Sequence, residues 1–284
     1  MLRKLLALAA LSCAFAGGGA FAETTQAPLK APNWSFSGPT GMYDQAQLQR
    51  GFKVYTEVCS QCHSLNLVTF GDLGRPGGPF YDPKYKDNPN DNPVVKAVAA
   101  GWPRKVADID PDTGDPTHRD ATTADVPAPP FPNEPAARAS NGGALPPDMS
   151  LLAAAREGGP NYIYSILTSY AATPPGISGA PAGKYYNPAY PGDLSSMWKG
   201  KGEVPVGGFL AMPPPLTDCK VKFDDGTPCD LSQEAKDIAA FLTWASDPMM
   251  DQRKQTGLAV MIYLIIFSGL LYASYRRIWR NVAH

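Results

Sequence analysis

The chain has 284 residues, 44% apolar and 18% charged, a composition that excludes an intrinsically disordered chain. Its 25 basic and 26 acidic residues leave a formal charge of −1, so no basic excess exists to neutralise phosphates and no nucleic-acid partner is expected. Gly (27) and Pro (30) are abundant yet short of the ~25–30% of low-complexity chains, which predicts a loop-rich body organised around something other than its own secondary structure.

Residues 1–22 read as a secretory signal: Arg3 and Lys4 open it, an apolar run follows over 5–16, and Ala20-Phe21-Ala22 forms a small-x-small cleavage site. Two rivals fit less well. Lipidation at Cys13 would follow the unsuitable Ala10-Leu11-Ser12, and a mitochondrial presequence would carry more Arg. The compartment implied is an oxidising bacterial periplasm. Residues 23–250 then form one body of single-domain size, and 251–284 a membrane anchor with a short tail.

Within the body, residues 44–58 predict a helix, with Leu48, Phe52 and Tyr55 at helical spacing and Asp44 as its cap. Shorter helical pieces are expected at 94–100, 149–157 and 162–169, and Pro-, Gly- and Asp-rich loops at 74–93, 108–135 and 173–215. A second long helix is expected over 232–245, where Ile238, Phe241, Leu242 and Ala245 line one face and Asp247-Pro248 ends it. The 19 uncharged residues 257–275 nearly span a hydrocarbon core of ~30 Å. They are apolar on every face, so a lipid-spanning helix fits better than a buried one. Arg276, Arg277 and Arg280 follow at once and place the tail in the cytoplasm, with the body outside.

The first helix runs into Cys59-Ser60-Gln61-Cys62-His63. Two cysteines at this spacing can form thioethers to the vinyl groups of a haem, with the next His as proximal iron ligand. A zinc half-site or a redox dithiol are the rival readings. Zinc would need Cys219 and Cys229 at an odd spacing, and a thioredoxin-like motif should follow a strand. For the sixth iron position only His118 and His284 remain among histidines, the latter beyond the span, which leaves Met42, Met149, Met197 and Met212 in the body ahead of the second long helix. Met212 precedes Pro213-Pro214-Pro215, a stiff extended segment able to hold a thioether against iron; Met197 is the alternative, and a core role is the commoner one for methionine. Cys219 and Cys229 flank an Asp-Asp-Gly-Thr-Pro turn in an oxidising compartment, and a disulfide between them is expected.

The pattern resembles the cytochrome c1 family, the haem subunit of ubiquinol–cytochrome c oxidoreductase. The matching stretches include Arg50-Gly51-Phe52-x-x-Tyr55 leading to the Cys motif, then Ala137-Arg138-Ala139-x-Asn141-x-Gly143-Ala144-Leu145-Pro146-Pro147-Asp148. Tyr185-Tyr186-Asn187-Pro188, Met212-Pro213-Pro214-Pro215-Leu216, Asp224-Asp225-Gly226-Thr227-Pro228 and Trp244-Ala245-x-Asp247-Pro248 complete them. The resemblance implies a mainly α, class I cytochrome c fold with long loop insertions plus one C-terminal transmembrane helix. It implies one covalent haem c per chain, His63 and Met212 as axial ligands, and Arg138 near a haem propionate. Gly51 and Phe241 would mark a close crossing of first and last helices of the domain. The implied partners are cytochrome b, a Rieske iron–sulfur protein as electron donor and a cytochrome c as acceptor, in a membrane complex expected to be dimeric. A free-standing tethered electron carrier is the alternative, and an open-iron haem enzyme a weaker one.

Overall fold

A computed structural model describes residues 26–281; the signal expected at 1–22 and residues 282–284, with His284, lie outside the described residues. The body is mainly helical, with short hairpins set in its loops.

Two helices form its frame. Helix α1 (Gln45–Glu57) starts where the Asp44 carboxylate accepts from the Gln47 amide, and it buries Leu48, Phe52, Val54 and Tyr55 on one face. Further along the chain lie α2 (Pro93–Ala100), the hairpin β1 (Val106–Ile109) with β2 (Pro116–Arg119), α3 (Glu134–Ser140) and α4 (Pro160–Thr168). A second hairpin, β3 (Tyr185–Asn187) with β4 (Gly208–Leu210), precedes α5 (Leu231–Ser246) and α6 (Met250–Trp279). Helix α5 is capped by Asp230 and buries Ile238, Phe241, Leu242, Trp244 and Ala245.

Helices α1 and α5 cross at Gly51. A Cβ added there would sit 2.2 Å from the Asp237 carbonyl oxygen and 2.6 Å from the Phe241 Cβ, so no side chain fits. The rings of Phe52 and Tyr55 pack against Phe241 with centroids 5.6 and 5.9 Å apart, and Trp244 stacks on Phe241 at 5.6 Å. Beside the crossing the fully buried Asp237 carboxylate accepts from Arg50 Nε (2.7 Å), Gln47 Nε2 (3.0 Å) and Gln233 Nε2 (2.8 Å).

The structure departs from the sequence reading in three places. Residues 149–157 form turns rather than a helix: Leu152 N donates to the Met149 carbonyl and Gly159 N to the Arg156 carbonyl, three residues back rather than four, and the segment runs into Gly158 and Gly159, both at positive φ. Helix α3 rises at the end of an expected loop; its Asn133 cap was the available signal, but with only Ala137 buried it has no apolar period. The hairpins fall largely in expected loops, since strands of three or four residues are too short to carry a readable period: β1 alternates in burial but its sequence Val-Ala-Asp-Ile does not, and β2 is exposed at three of four positions.

Helix α6 is long and apolar enough to cross a membrane, and every described side chain from Gln255 onward is exposed, as a lipid-facing anchor requires. Its root is packed on the body. Only residues 247–249 separate it from α5. The buried Asp251 carboxylate accepts from the Tyr43 amide (3.3 Å), and Lys254 Nζ donates to the Phe36 (2.5 Å) and Gly41 (3.0 Å) carbonyls. Arg253 forms a two-pronged pair with Asp247. The N-terminal arm that supplies Phe36–Tyr43 is itself fastened to α4, Trp34 Nε1 donating to Asn161 Oδ1 at 2.7 Å.

Substituting Gly51→Ala should test the crossing. Helix propensity favours Ala by ~1 kcal/mol, whereas overpacking against α5 backbone costs ~1–3 kcal/mol or more. A net loss of about 2 kcal/mol is expected by thermal denaturation of the purified protein, and an unchanged melting temperature would show that the helices can part there freely.

Candidate functional site

The Cys motif is the chain's exit from α1. After Val58 the backbone tightens into a 3-10 turn, Cys59–Gln61, in which the Cys62 and His63 amides both donate to the Cys59 carbonyl (3.1 and 2.9 Å). Three side chains fasten this turn: Ser60 Oγ donates to the Thr56 carbonyl (2.8 Å), Tyr55 OH to the His63 carbonyl (3.1 Å) and Arg104 Nη2 to the Ser60 carbonyl (3.0 Å).

Cys59 is half-buried and Cys62 exposed, and neither is bonded to another cysteine. Burial pushes the Cys59 thiol up to about 12, the opposite of the lowered value that makes a redox dithiol reactive. The only other cysteines among the described residues, Cys219 and Cys229, are joined to each other with Cα atoms 4.5 Å apart, so a four-thiol zinc site has no ligands left.

His63 is buried, and its Nδ1 lies 2.8 Å from the Pro147 carbonyl oxygen. Burial holds the ring below its ordinary value, hence neutral. A carbonyl can only accept, so Nδ1 carries the proton and Nε2 keeps its lone pair, with no partner among the described residues. That is the tautomer and orientation of a metal ligand. The segment that supplies Pro147 is held beside the turn by Asp148, whose carboxylate accepts from Ser64 Oγ (2.7 Å), Asn66 N (2.9 Å) and Ser150 N (2.9 Å).

The four methionines occupy different settings. Met149 is buried in the main core and Met42 is exposed at the anchor root, its sulfur 3.8 Å from Gln255 Nε2. Met197 and Met212 are half-buried. The backbone of Met197 is tied within its own loop by Leu194 and Ser178, whereas the Met212 carbonyl accepts from Tyr170 OH (3.0 Å) just beyond α4. Leu216, four residues past Met212, shares the core cluster of Tyr55 and of Leu65, two residues past His63. His118 is exposed on β2, and Arg138 is exposed on α3 with Nη1 3.3 Å from the Gly143 carbonyl. The turn thus unites Cys59, Cys62 and His63, while Met212 and Arg138 make no hydrogen bond to it.

Sequence reasoning missed Pro147 as the partner of His63, although it lies in a quoted stretch, and missed Tyr170 and Arg104, which belong to no motif. The loop after Met212 is stitched to α5 by the Cys219–Cys229 bond, by Glu234 Oε1 accepting from Val221 N (2.8 Å), and by Asp218 Oδ1 accepting from Leu231 N (2.9 Å).

Two unpaired thiols and a neutral imidazole with its Nδ1 engaged fit the donor set that covalently attached haem requires, and they sit at the end of one of two crossed helices. Fold and donor set together define a membrane-anchored c-type cytochrome. The Cytochrome C1 family model matches residues 34–282. Cytochrome c1 of Rhodospirillum rubrum is 38% identical over 286 residues, which cover 94% of this chain and 93% of that protein. Cytochrome c1 of Rhodobacter capsulatus is 36% identical over 296 residues, 97% of each. A protein of Bradyrhizobium diazoefficiens named cytochrome b/c1 is 36% identical over 97% of this chain, which spans 39% of its length. The chain belongs to the cytochrome c1 family. It is an electron-transfer subunit of the cytochrome bc1 complex, in which cytochrome c1 proteins stand with cytochrome b, and its cofactor is covalently attached haem c.

The linked cysteines, 10 apart in sequence, close a loop for which chain entropy gives an upper value of about 2.8 kcal/mol. Mild reduction should therefore lower the melting temperature and leave room-temperature electron transfer nearly unchanged. Two alkylatable thiols in freshly purified protein, with no change on reduction, would contradict the linkage.

Proposed function

We propose that this subunit takes electrons from a Rieske iron–sulfur protein and passes them to a soluble or tethered cytochrome c, within a dimeric, proton-translocating quinol–cytochrome c oxidoreductase. The observation that carries the proposal is the turn itself, with a neutral His63 presenting a bare Nε2 beside two unpaired thiols.

Haem c, when bound, supplies the one-electron couple of its iron. Cys59 and Cys62 would hold it through thioethers, and His63 Nε2 and the Met212 sulfur would be the donors to its iron. A neutral thioether favours reduced iron and so raises the potential. Pro213 to Pro215 stiffen the segment behind Met212, and Tyr170 holds its carbonyl. Arg138, exposed and paired with no carboxylate among the described residues, is free to bind a propionate.

Residues 1–22 act as a signal, 23–250 as the periplasmic haem domain, and 251–284 as anchor and cytoplasmic tail of the inner membrane, with the span at about 257–275. The clasped root of α6 supports a fixed relay over a free-standing carrier, because a carrier that swings between partners needs slack and Asp251 and Lys254 remove it.

Mild-detergent extraction should bring down cytochrome b and an iron–sulfur protein in one stoichiometric complex; recovery of the haem protein alone would refute the assignment of partners. Acid–acetone should leave haem on the chain, and Cys59→Ser or Cys62→Ser should lose most holoprotein. Met212→Leu should keep covalent haem, lower the reduction potential by roughly a few hundred millivolts and open the iron to carbon monoxide. Met197→Leu should do none of this, and an exchange of the two phenotypes would move the ligand to Met197. A periplasm-active reporter should work when fused after Asp247 and stay silent after Arg280.

A further inference from the structure

Arg104 lies between α2 and β1, outside every motif. Its guanidinium stands over the Trp102 ring, 5.2 Å from the centroid. Nε donates to the Ala128 carbonyl (2.9 Å) and Nη2 to the Ser60 carbonyl (3.0 Å), within the turn that carries Cys59 and Cys62. Ser60 is fully buried, so its carbonyl has little water to turn to.

The charge state of this contact is unusual for the molecule. Arg50, Arg75, Arg119 and Arg253 each pair with a carboxylate. Arg138 and Arg156 do not, but both are exposed. Arg104 is half-buried and has no carboxylate within ion-pair distance among the described residues. Burial pulls its guanidinium below the ordinary arginine value without discharging it. Two carbonyls and an aromatic face replace water only in part, so the positive charge here stays uncompensated.

We propose that Arg104 is a positioning residue that clamps the haem-attachment turn and keeps a fixed positive charge against it, raising the reduction potential of the haem held there; this rests on the reading of Cys59–His63 as that turn. The clamp acts on Ser60, between the two cysteines that must meet their vinyl partners together. The charge acts because oxidised iron carries one more positive charge than reduced iron. A nearby cation screened by protein rather than water therefore disfavours the oxidised form.

Redox titration of the c-type α-band in the membrane-bound complex tests this, with covalent haem per chain measured as pyridine haemochrome. Arg104→Gln should lower the potential and reduce haem per chain, and Arg104→Lys should restore most of both. Lys105→Gln should leave both unchanged, since Lys105 is exposed and paired with Asp120. The proposal is overturned by an unmoved potential in Arg104→Gln, by a fall in Arg104→Lys as large as in Arg104→Gln, or by an equal shift in Lys105→Gln. Loss of holoprotein in both Arg104 variants also overturns it, because the contact would then be one of guanidinium shape and not of charge. Absence of covalent haem in the parent chain would instead refute the haem reading, and the two failures are distinguishable.

Discussion

Gly51 is where the α1 and α5 backbones touch, and the position of the haem turn follows from that contact. The Asp237 carbonyl occupies the space a Cβ would need, so the helices approach more closely than side chains ordinarily allow. Closeness alone does not fix register, because two crossed rods can rotate or slide. The ring cluster of Phe52, Tyr55, Phe241 and Trp244 resists rotation. Sliding is resisted by Asp237, which is reached from α1 by Arg50 and Gln47; a shift would take away its cationic partner and leave the buried carboxylate with only Gln233 of its own helix. An ion pair of this kind adds little net stability over apolar packing, so its value here lies in register. Arg50 also reaches Asp225 beyond the crossing, which brings the turn between the linked cysteines into the same frame.

Tyr55 links this frame to chemistry. Its ring belongs to the crossing and its hydroxyl holds the His63 carbonyl, so the end of α1 cannot fray without disturbing the core. From the other side Pro147 and Asp148 hold His63 and Ser64. The imidazole is thereby held in one orientation by contacts made entirely within the protein. Electron transfer is fastest where least must move.

Legibility in the sequence followed periodicity and covalent motif. Helices α1 and α5 could be read because Asp44 caps one, Asp247-Pro248 stops the other, and apolar residues recur at helical spacing in both. The Cys motif stands out in the sequence because thioether attachment of a haem requires that spacing. Residues 149–157 misled because their apolar content is helical while their backbone closes tight turns and runs into Gly158 and Gly159 at positive φ, and Met149 N is drawn to the distant Ser64 carbonyl. Arg104 and Tyr170 were illegible for the same reason: each acts through hydrogen bonds to backbone carbonyls far away in sequence, and carbonyls have no side-chain signature.

A site built so largely from loops lacks the ladders of regular structure, yet its loops are constrained twice. Proline lowers the entropy of the unfolded chain, so ordering the segment after Met212 costs less than ordering an ordinary loop of that length. Side chains then satisfy the backbone where no ladder does. The buried Asn187 donates to the Ile166 carbonyl and accepts from Ala189 N, and Tyr186 OH holds the Val206 carbonyl two residues before β4. Through β3 and β4 these contacts connect α4 with the strand that leads into Met212. Both flanks of the site are therefore held to helices that pack on α5, one through Tyr55 and one through Asn187 and Tyr170. With the root of α6 clasped to the N-terminal arm, and that arm fastened to α4, the same helices also set the height and tilt of the site above the membrane. Relay geometry and membrane geometry are in this way one problem, solved by the packing of α1 and α4 against a single helix.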